Sequence, residues 1–215
     1  MFIDDLNKKF KKDEPIFIED ILEALNEYSR ATIFRNIAKA KENEELKQYS
    51  KGVYYLPDDN QKSFITNSDV IERRYLCNNN EEYGMYTGLQ LLNYFNVTTQ
   101  MPAIFEIVTN KESTRKREID LNGKKYILRK SRTNINNKNF DAYRIMELMN
   151  NLDSSEELDD LAKNTVIDYI NKKNIKRNDL ITMCSYFPNK ANKNLIESGV
   201  LDEIRWKQKR FFEIY

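Results

Sequence analysis

The sequence predicts an α+β protein in which a small N-terminal unit, residues 1–57, precedes a larger mixed unit, residues 62–215, with a small β-sheet and several helices. In the first unit, two runs with helical periodicity are followed by two short β-favouring runs. In the second, an Asn-Gly pair separates two further β-favouring runs, and helical patterns dominate the C-terminal third. Pro57 to Gln61 interrupts both periodicities, so the boundary is predicted there.

A first short helix is predicted from about Phe17 to Leu25, where five apolar side chains fall on one face. Its first turn contains Glu19 and Asp20, which are favourable at the positive end of the helix dipole.

A second helix is predicted from Arg30 to about Asn43, with Ser29 as its N-cap. One face is apolar and is predicted to pack on the first helix; its residues are Ile33, Phe34, Ile37 and Ala40. The opposite stripe is polar and basic, and consists of Thr32, Arg35, Asn36 and Lys39. From Arg30 to Lys41 there are four basic residues and no acid.

Two β-favouring runs follow, Leu46 to Tyr49 and Val53 to Leu56, joined by a turn that ends in Gly52. A helix, a tight turn, a basic helix and a hairpin with Lys51 at its tip together predict a winged helix-turn-helix unit, whose second helix enters the major groove of DNA. The predicted DNA-binding residues are Ser29, Arg30, Thr32, Arg35, Asn36, Lys39, Lys47 and Lys51. The alternative is a helical hairpin whose basic face is merely solvated.

The larger unit is predicted to open with a helix capped by Ser68 and extending to about Leu76. A second helix is predicted over Gly84 to Phe95, and a strand over Ala103 to Thr109. A hairpin follows, with strands at 117–121 and 125–129 around Asn122-Gly123. The remaining predicted helices lie near 140–151, 155–172, 177–185, 189–198 and 201–210.

The net charge of +1 hides strong local patterning. Residues 111–138 contain ten basic side chains against three acids, whereas 144–160 contain six acids against Arg144 alone. Such runs are usually solvated faces. They also define a candidate second basic surface, which consists of Arg115, Lys116, Arg117, Lys124, Lys125, Arg129, Lys130 and Arg132.

Several classes of site are excluded by composition. The chain has no histidine, so it cannot form histidine-based triads or HExxH metal sites, and five glycines include no phosphate-binding loop. Cys77 and Cys184 are far apart, which argues against a zinc site or a disulfide. We therefore expect no cofactor, no metal and no catalytic residue. Neither a signal peptide nor a membrane span is predicted, so we expect a soluble cytoplasmic protein.

One rival hypothesis is a nucleic-acid-processing enzyme that uses the carboxylates Glu156, Asp159 and Asp160. Acids at the start of a helix more often compensate its dipole, and no second carboxylate cluster is evident for metals. The other rival is a protein-binding adaptor whose N-terminal unit does not contact DNA.

The segment TGLQLLNYFNVTTQMPAIFEIVTNKES (87–113), followed by a basic hairpin and YILRKSRT (126–133), resembles the AbiEi family of antitoxins from type IV toxin–antitoxin systems. The stretch SRATIFRNIAKAKENEELKQYSKGVYYLP is similar to the N-terminal domain of that family. The two matches together cover about residues 15–150.

The resemblance implies a phage-defence protein that represses its own operon by binding inverted repeats in the promoter, with two copies bound cooperatively. It also implies that the C-terminal unit counteracts a nucleotidyltransferase-like toxin, without a stable complex being required. On this interpretation Arg30, Arg35, Lys39 and Lys51 serve repression. The basic segment from Arg115 to Arg132 would contact further DNA, or an RNA or nucleotide ligand of the toxin pathway.

Overall fold

The computed structural model describes residues 2–58 and 64–204. It divides into a first unit, Met1–Arg74, and a second unit, Tyr75–Tyr215. Both contain helices and small sheets, which confirms the mixed α+β class. The division falls after Arg74 rather than between 57 and 62. The reason is that residues after the expected boundary still contact the first unit: Arg73 pairs with Glu14 at 3.0 Å, and Asn67 accepts a hydrogen bond from the Tyr49 hydroxyl.

The first unit contains four helices and three strands within its described residues. In chain order they are α1 (Phe2–Lys9), β1 (Ile16–Phe17), α2 (Ile18–Ala24), α3 (Arg30–Glu42), β2 (Lys47–Ser50), β3 (Val53–Tyr55) and α4 (Asn67–Ile71). A π-helical turn, Glu72–Leu76, continues α4. Both helices and both hairpin strands predicted before Pro57 are confirmed, with ends that differ by one or two residues.

Helices α2 and α3 pack on α1 and the sheet through one apolar core. Its fully buried side chains include Leu6 from α1, Ile21 from α2 and Ile33 from α3. The sheet has the order β1-β3-β2 and is antiparallel throughout. Because β1 pairs with β3, the hairpin is held against the start of α2.

The second unit is organised around a four-stranded sheet. The strands of this sheet are β6 (Gly84–Thr87), β7 (Phe105–Thr109), β8 (Arg117–Leu121) and β9 (Lys124–Lys130). The unit also contains a separate two-stranded ribbon of β4 (Cys77–Asn78) and β5 (Glu81–Glu82). The sheet order is β6-β7-β9-β8, with β7 and β9 parallel and the other pairs antiparallel. The predicted hairpin is confirmed, and Asn122 and Gly123 have φ of 50° and 79°, as a two-residue turn requires.

The helices of this unit are α5 (Leu89–Tyr94), α6 (Phe140–Asn151), α7 (Asp160–Lys172), α8 (Arg177–Cys184) and α9 (Asn189–Glu197). Helix α6 is central and packs against β6, α8 and α9. Its side chains Tyr143, Ile145 and Met146 have no exposed surface. Residues 200–204 are also helical, and the rest of the helix predicted over 201–210 lies outside the described residues.

Three features predicted for residues 62–215 were wrong. The helix predicted over Gly84 to Phe95 is instead strand β6 followed by the short helix α5, with Gly88 at φ 61° between them. Hydrogen bonding with β7 makes residues 84–87 a strand despite their local helical pattern. Residue 84 must also be glycine, because a Cβ there would lie only 2.0 Å from the Tyr75 carbonyl oxygen.

The cap of α4 is Thr66, not Ser68: Thr66 Oγ1 accepts from the Asp69 amide at 3.3 Å, and the Asp69 carboxylate accepts from the Thr66 amide at 2.7 Å. The helix predicted over 155–172 begins with a separate 3-10 turn, Ser155–Glu157, and α7 itself starts at Asp160. None of the helices in the described parts of the chain is both long and apolar enough to cross a membrane.

Candidate nucleic-acid interface

Helix α3 presents a basic face to solvent. Ile33, Ile37 and Ala40 are buried on its inner side. Arg35 and Lys39, one turn apart, lie on the opposite side and are exposed, as is Arg30 in the first turn. Thr32 and Asn36 lie at the edges of this face and are half-buried. The structure therefore brings Thr32, Arg35, Asn36 and Lys39 to one face or its margins, whereas Arg30, nine residues before Lys39, lies about 180° around the helix from it.

Phe34 corrects the sequence prediction. It was expected to pack with Ile33 and Ile37, but its side chain is 45% exposed. The reason is angular: Phe34 follows Ile33 by 100° around the helix, which takes it past the edge of a narrow buried stripe. An aromatic ring therefore lies on the solvent-facing side of α3, beside the exposed Ala31 and Ala38.

The N-terminus of α3 is capped as predicted. Ser29 Oγ accepts a hydrogen bond from the Thr32 amide at 3.2 Å and is 2.8 Å from the Thr32 hydroxyl. The cap fixes the first turn, and the Arg30 and Ala31 amides of that turn point along the helix axis toward solvent. A capped helix N-terminus of this kind suits a phosphate, because the helix dipole adds to the amide donors.

The β2–β3 hairpin is fixed next to α3 by specific contacts. Lys41 Nζ, near the end of α3, donates to Gln48 Oε1 in β2 at 2.5 Å. At the hairpin tip Gly52 has φ of 75°, which favours glycine, and its carbonyl oxygen accepts from the Ile18 amide at 2.9 Å. Lys47 and Lys51 are exposed on this hairpin, and Lys51 lies in the turn.

The cations of this surface are not neutralised within the unit. Among the described residues, no carboxylate pairs with Arg30, Arg35, Lys39, Lys47 or Lys51. Acids of the first unit pair elsewhere: Asp5 with Lys8 at 3.5 Å, Glu14 with Arg73, and Glu19 with Arg74 at 3.6 Å. We call the predicted set on α3 and the hairpin the α3 surface; it consists of five exposed cations and three polar residues (Ser29, Arg30, Thr32, Arg35, Asn36, Lys39, Lys47 and Lys51).

The second basic surface predicted from 111–138 is not a single surface. Alternation along the strands sends Arg117 and Lys124 to one side of the sheet and Lys125 and Arg129 to the other. Three of these side chains are engaged in ion pairs: Arg117 with Glu112 at 2.7 Å, Lys125 with Glu118 at 2.8 Å, and Arg129 with Glu106 at 2.7 Å. Lys124 lies 4.3 Å from the centre of the Phe105 ring.

The Glu112–Arg117 pair anchors the loop that precedes β8. Glu112 is 3% exposed, and burial alone would raise its pKa. Hydrogen bonds from the Thr114 amide and from Arg117 reverse that effect and lower the pKa of Glu112 below its ordinary value. The pair is therefore structural, and it commits Arg117 Nε to Glu112.

A cleft of about 570 Å³ lies between the sheet and α6, and we call it the α6 cleft. Four of the eight predicted cations are in its lining, namely Arg115, Arg129, Lys130 and Arg132, but alternation along β9 directs the Lys130 side chain to the face of the sheet opposite that of Arg129. Arg132 donates to Asn150 Oδ1 at 3.5 Å, and its guanidinium lies 5.5 Å from the centre of the Phe187 ring. No described carboxylate pairs with Arg115, Lys130 or Arg132.

The inner wall of the α6 cleft contains a buried acid that was not recognised from the sequence. Glu147 is 5% exposed and lines the cleft together with Thr87 and Asn151. Its Oε1 accepts from Thr87 Oγ1 at 2.7 Å and from Asn151 Nδ2 at 3.4 Å. Burial raises the pKa of Glu147, although these hydrogen bonds and the charges of Arg132 and Arg129 oppose the shift. A sequence signal exists, since Glu147 interrupts the apolar run Ile145 to Met149.

The carboxylates of the rival enzyme hypothesis have structural positions. Asp159 caps α7, and its Oδ1 accepts from the Ala162 amide at 2.8 Å. Glu157 accepts from the Asp153 amide at 3.0 Å, and Glu156 and Asp160 are exposed. Within the described residues, acids and cysteines do not group into a set that could hold a metal ion, and Cys77 and Cys184 do not form a disulfide.

Comparison with models of known protein families and with characterised proteins finds no match to this chain. The resemblance to the AbiEi antitoxins therefore depends on the quoted segments alone.

Proposed function

We propose that the first unit is a winged-helix module that binds double-stranded DNA in a sequence-dependent way, with α3 in the major groove and the hairpin tip on the phosphate backbone. The observation that carries the proposal is the α3 surface, where a capped helix and the adjacent hairpin expose cations that have no described carboxylate partner. Elsewhere in the unit several cations are paired with acids, as Lys11 is with Glu14 at 3.4 Å and Lys12 with Asp58 at 3.8 Å.

The dimensions of α3 suit this role. Its 13 residues give a length of roughly 20 Å, and an α-helix fits the B-DNA major groove. Arg35 is placed to read a guanine bidentately, and Asn36 to read an adenine. Ser29, Lys47 and Lys51 surround these residues and would fix the register through phosphates.

One α3 surface per chain reads one half-site. We therefore propose that two copies bind an inverted repeat cooperatively, with the half-sites spaced by whole turns of DNA. Repression of the chain's own operon follows if that repeat lies in its promoter, and such a repressor acts in the cytoplasm.

For the whole chain, the AbiEi resemblance supports the proposal that it is a type IV antitoxin, in which the second unit counteracts a nucleotidyltransferase-like toxin. A DNA-independent adaptor is the second candidate, because the exposed Phe34 would also suit a protein partner. DNA titration distinguishes the two, since an adaptor has no sequence preference among duplexes.

The decisive experiment titrates the full chain into a duplex covering the region upstream of its own gene and into a scrambled duplex, at two salt concentrations. We expect the upstream duplex to bind at least about a hundredfold more tightly. Lys39→Ala should weaken that binding, whereas Lys9→Ala, an exposed lysine of α1 outside the α3 surface, should leave it unchanged. Equal affinity for the two duplexes would refute sequence-dependent binding, and equal effects of the two substitutions would remove α3 from the interface. Co-expression with the toxin-like product of a neighbouring gene tests the antitoxin proposal separately.

A further inference from the structure

The α6 cleft combines two kinds of side chain that a structural cavity does not require. Its mouth is cationic, with Arg115 and Arg132 free of described carboxylates. Its inner wall is polar, with Glu147 and Asn151 both hydrogen-bonded to the Thr87 hydroxyl. The lining therefore changes character from the mouth to the inner wall, which would orient a ligand that has two chemically different ends.

The mouth suits a phosphate. Guanidinium groups bind phosphate oxygens through two parallel hydrogen bonds. Arg129 is also part of the lining, but its Nε donates to Glu106 at 2.7 Å. Its contribution to phosphate binding is therefore mainly its positive charge. Arg132 is held over Phe187 and against Asn150, which orients its guanidinium in advance of binding.

The inner wall suits hydroxyl groups. Both hydrogen bonds that described residues make to the Glu147 carboxyl go to Oε1, so its other oxygen is left for a ligand. A second phosphate there would be repelled by the carboxylate. A hydroxyl can donate to an ionised carboxylate and accept from a protonated one, so it satisfies Glu147 in either state.

The size of the cleft sets the class of ligand. At about 570 Å³ it falls within the range of small-molecule sites, and a phosphate ion alone would leave most of it unfilled. A duplex cannot enter it.

We propose that the α6 cleft binds a ribonucleoside phosphate, with the phosphate on Arg115 and Arg132 and the ribose hydroxyls on Glu147. The ligand is either a free nucleotide or the terminal nucleotide of a single-stranded RNA. This binding does not depend on the DNA-binding role of the first unit, and it gives the second unit a ligand of its own.

Calorimetric titration of the full chain tests the proposal. The probes are the four ribonucleoside 5′-monophosphates, their 2′-deoxy counterparts, inorganic phosphate and a six-nucleotide single-stranded RNA. We expect a ribonucleotide or the RNA to bind, with 2′-deoxy forms and phosphate alone at least about tenfold weaker, because each lacks a hydrogen bond to a charged group. Binding of mononucleotides identifies the free nucleotide as the source, and binding of the RNA alone identifies an RNA terminus.

Substitutions distinguish binding in the α6 cleft from non-specific attraction to the basic segment. Arg115→Ala and Arg132→Ala should each weaken binding at least about tenfold, and Lys116→Ala, an exposed cation of the same segment that does not line the cleft, should leave it unchanged. Arg115 has no described carboxylate partner, so its variant reports on the ligand even if Arg132→Ala impairs folding, which circular dichroism would show. No binding of any probe, equal binding of inorganic phosphate, or an equal loss with Lys116→Ala would overturn the proposal.

Discussion

Arg35 and Lys51 are both exposed cations of the α3 surface, but they have different positions in the proposed complex. Arg35 faces outward from the middle of α3, where base edges would lie, whereas Lys51 lies at the hairpin tip. Arg35→Ala should cost about 1–3 kcal/mol of affinity for the preferred duplex and relax the preference at one base pair. Lys51→Ala should weaken all sequences equally and reduce the salt slope by about one.

Titration of both variants against preferred and scrambled duplexes at two salt concentrations measures these effects. If Arg35→Ala lost the same affinity on both duplexes, Arg35 would be a phosphate contact and not a base-reading residue.

Phe34 was assigned to the core by the sequence pattern, but its exposed ring would give α3 an apolar contact with DNA. Aromatic and alanine side chains contact the thymine methyl group in the major groove, and Phe34 is 45% exposed beside Ala31 and Ala38. Replacing the contacted thymine by uracil should weaken binding of the natural chain about fourfold, from a loss of about 0.8 kcal/mol per methyl group. In Phe34→Ala the same replacement should have little effect. A uracil effect that persists undiminished in Phe34→Ala would assign the methyl contact to another residue.

Glu147 should make stability depend on pH in a defined direction. Because burial raises its pKa in the folded state, the neutral acid stabilises the fold at low pH, and that contribution is lost as the pH rises through the folded-state pKa. Glu147→Gln keeps an oxygen that accepts from Thr87 but cannot ionise. The variant should therefore be more stable than the natural chain at pH 8, with a difference that shrinks as the pH falls toward the ordinary value of 4.5.

Urea unfolding between pH 4 and pH 8 measures this difference, with the exposed Glu156→Gln as the control that should show none. A Glu147→Gln protein less stable than the natural chain at pH 8 would mean that the ionised carboxylate stabilises the fold through the cleft cations.

At the scale of elements, predictions succeeded where the signal was local. The Ser29 cap, the Asn122-Gly123 hairpin and the helix that begins at Phe140 each depend on residues within a few positions of one another. Strand β6 was missed because its conformation depends on pairing with β7, about 20 positions away. The α6 cleft was missed for the same reason, since Thr87 and Glu147 are separated by 60 positions.

Helix α4 offers a direct test of one corrected element. Two candidate caps stand two positions apart, and the structure places Thr66 at the cap and Ser68 inside the helix. Thr66→Ala should destabilise the protein by about 1 kcal/mol, because it removes an acceptor from the Asp69 amide. Ser68→Ala should be neutral or slightly stabilising, since alanine is the better residue inside a helix. Chemical unfolding compares the two variants, and a greater loss from Ser68→Ala would restore Ser68 as the cap.

At the scale of the whole molecule, the two units carry chemically distinct surfaces. The α3 surface lies entirely within residues 29–51, and the α6 cleft lies entirely within residues 87–151. A truncation that separates the two should cut after Arg74 and not near Pro57, because a cut near Pro57 removes the Glu14–Arg73 pair and the Tyr49–Asn67 hydrogen bond from the first unit. Point substitutions keep both contacts and therefore separate DNA binding from ligand binding more cleanly than a truncation does.

If the antitoxin proposal holds, promoter binding and toxin neutralisation should be separable within the full chain. Arg35→Glu places an acid where α3 would face guanine or phosphate, and it removes no core contact because Arg35 is exposed. We expect this variant to lose promoter binding by at least about a hundredfold while it still protects cells against toxin growth arrest. Lys9→Glu, an equal charge reversal on α1, should retain both activities. The measurements are a gel-shift titration and growth of cells that co-express the toxin. A folded Arg35→Glu protein that fails to protect, beside a protective Lys9→Glu protein, would show that neutralisation itself requires the DNA-binding surface.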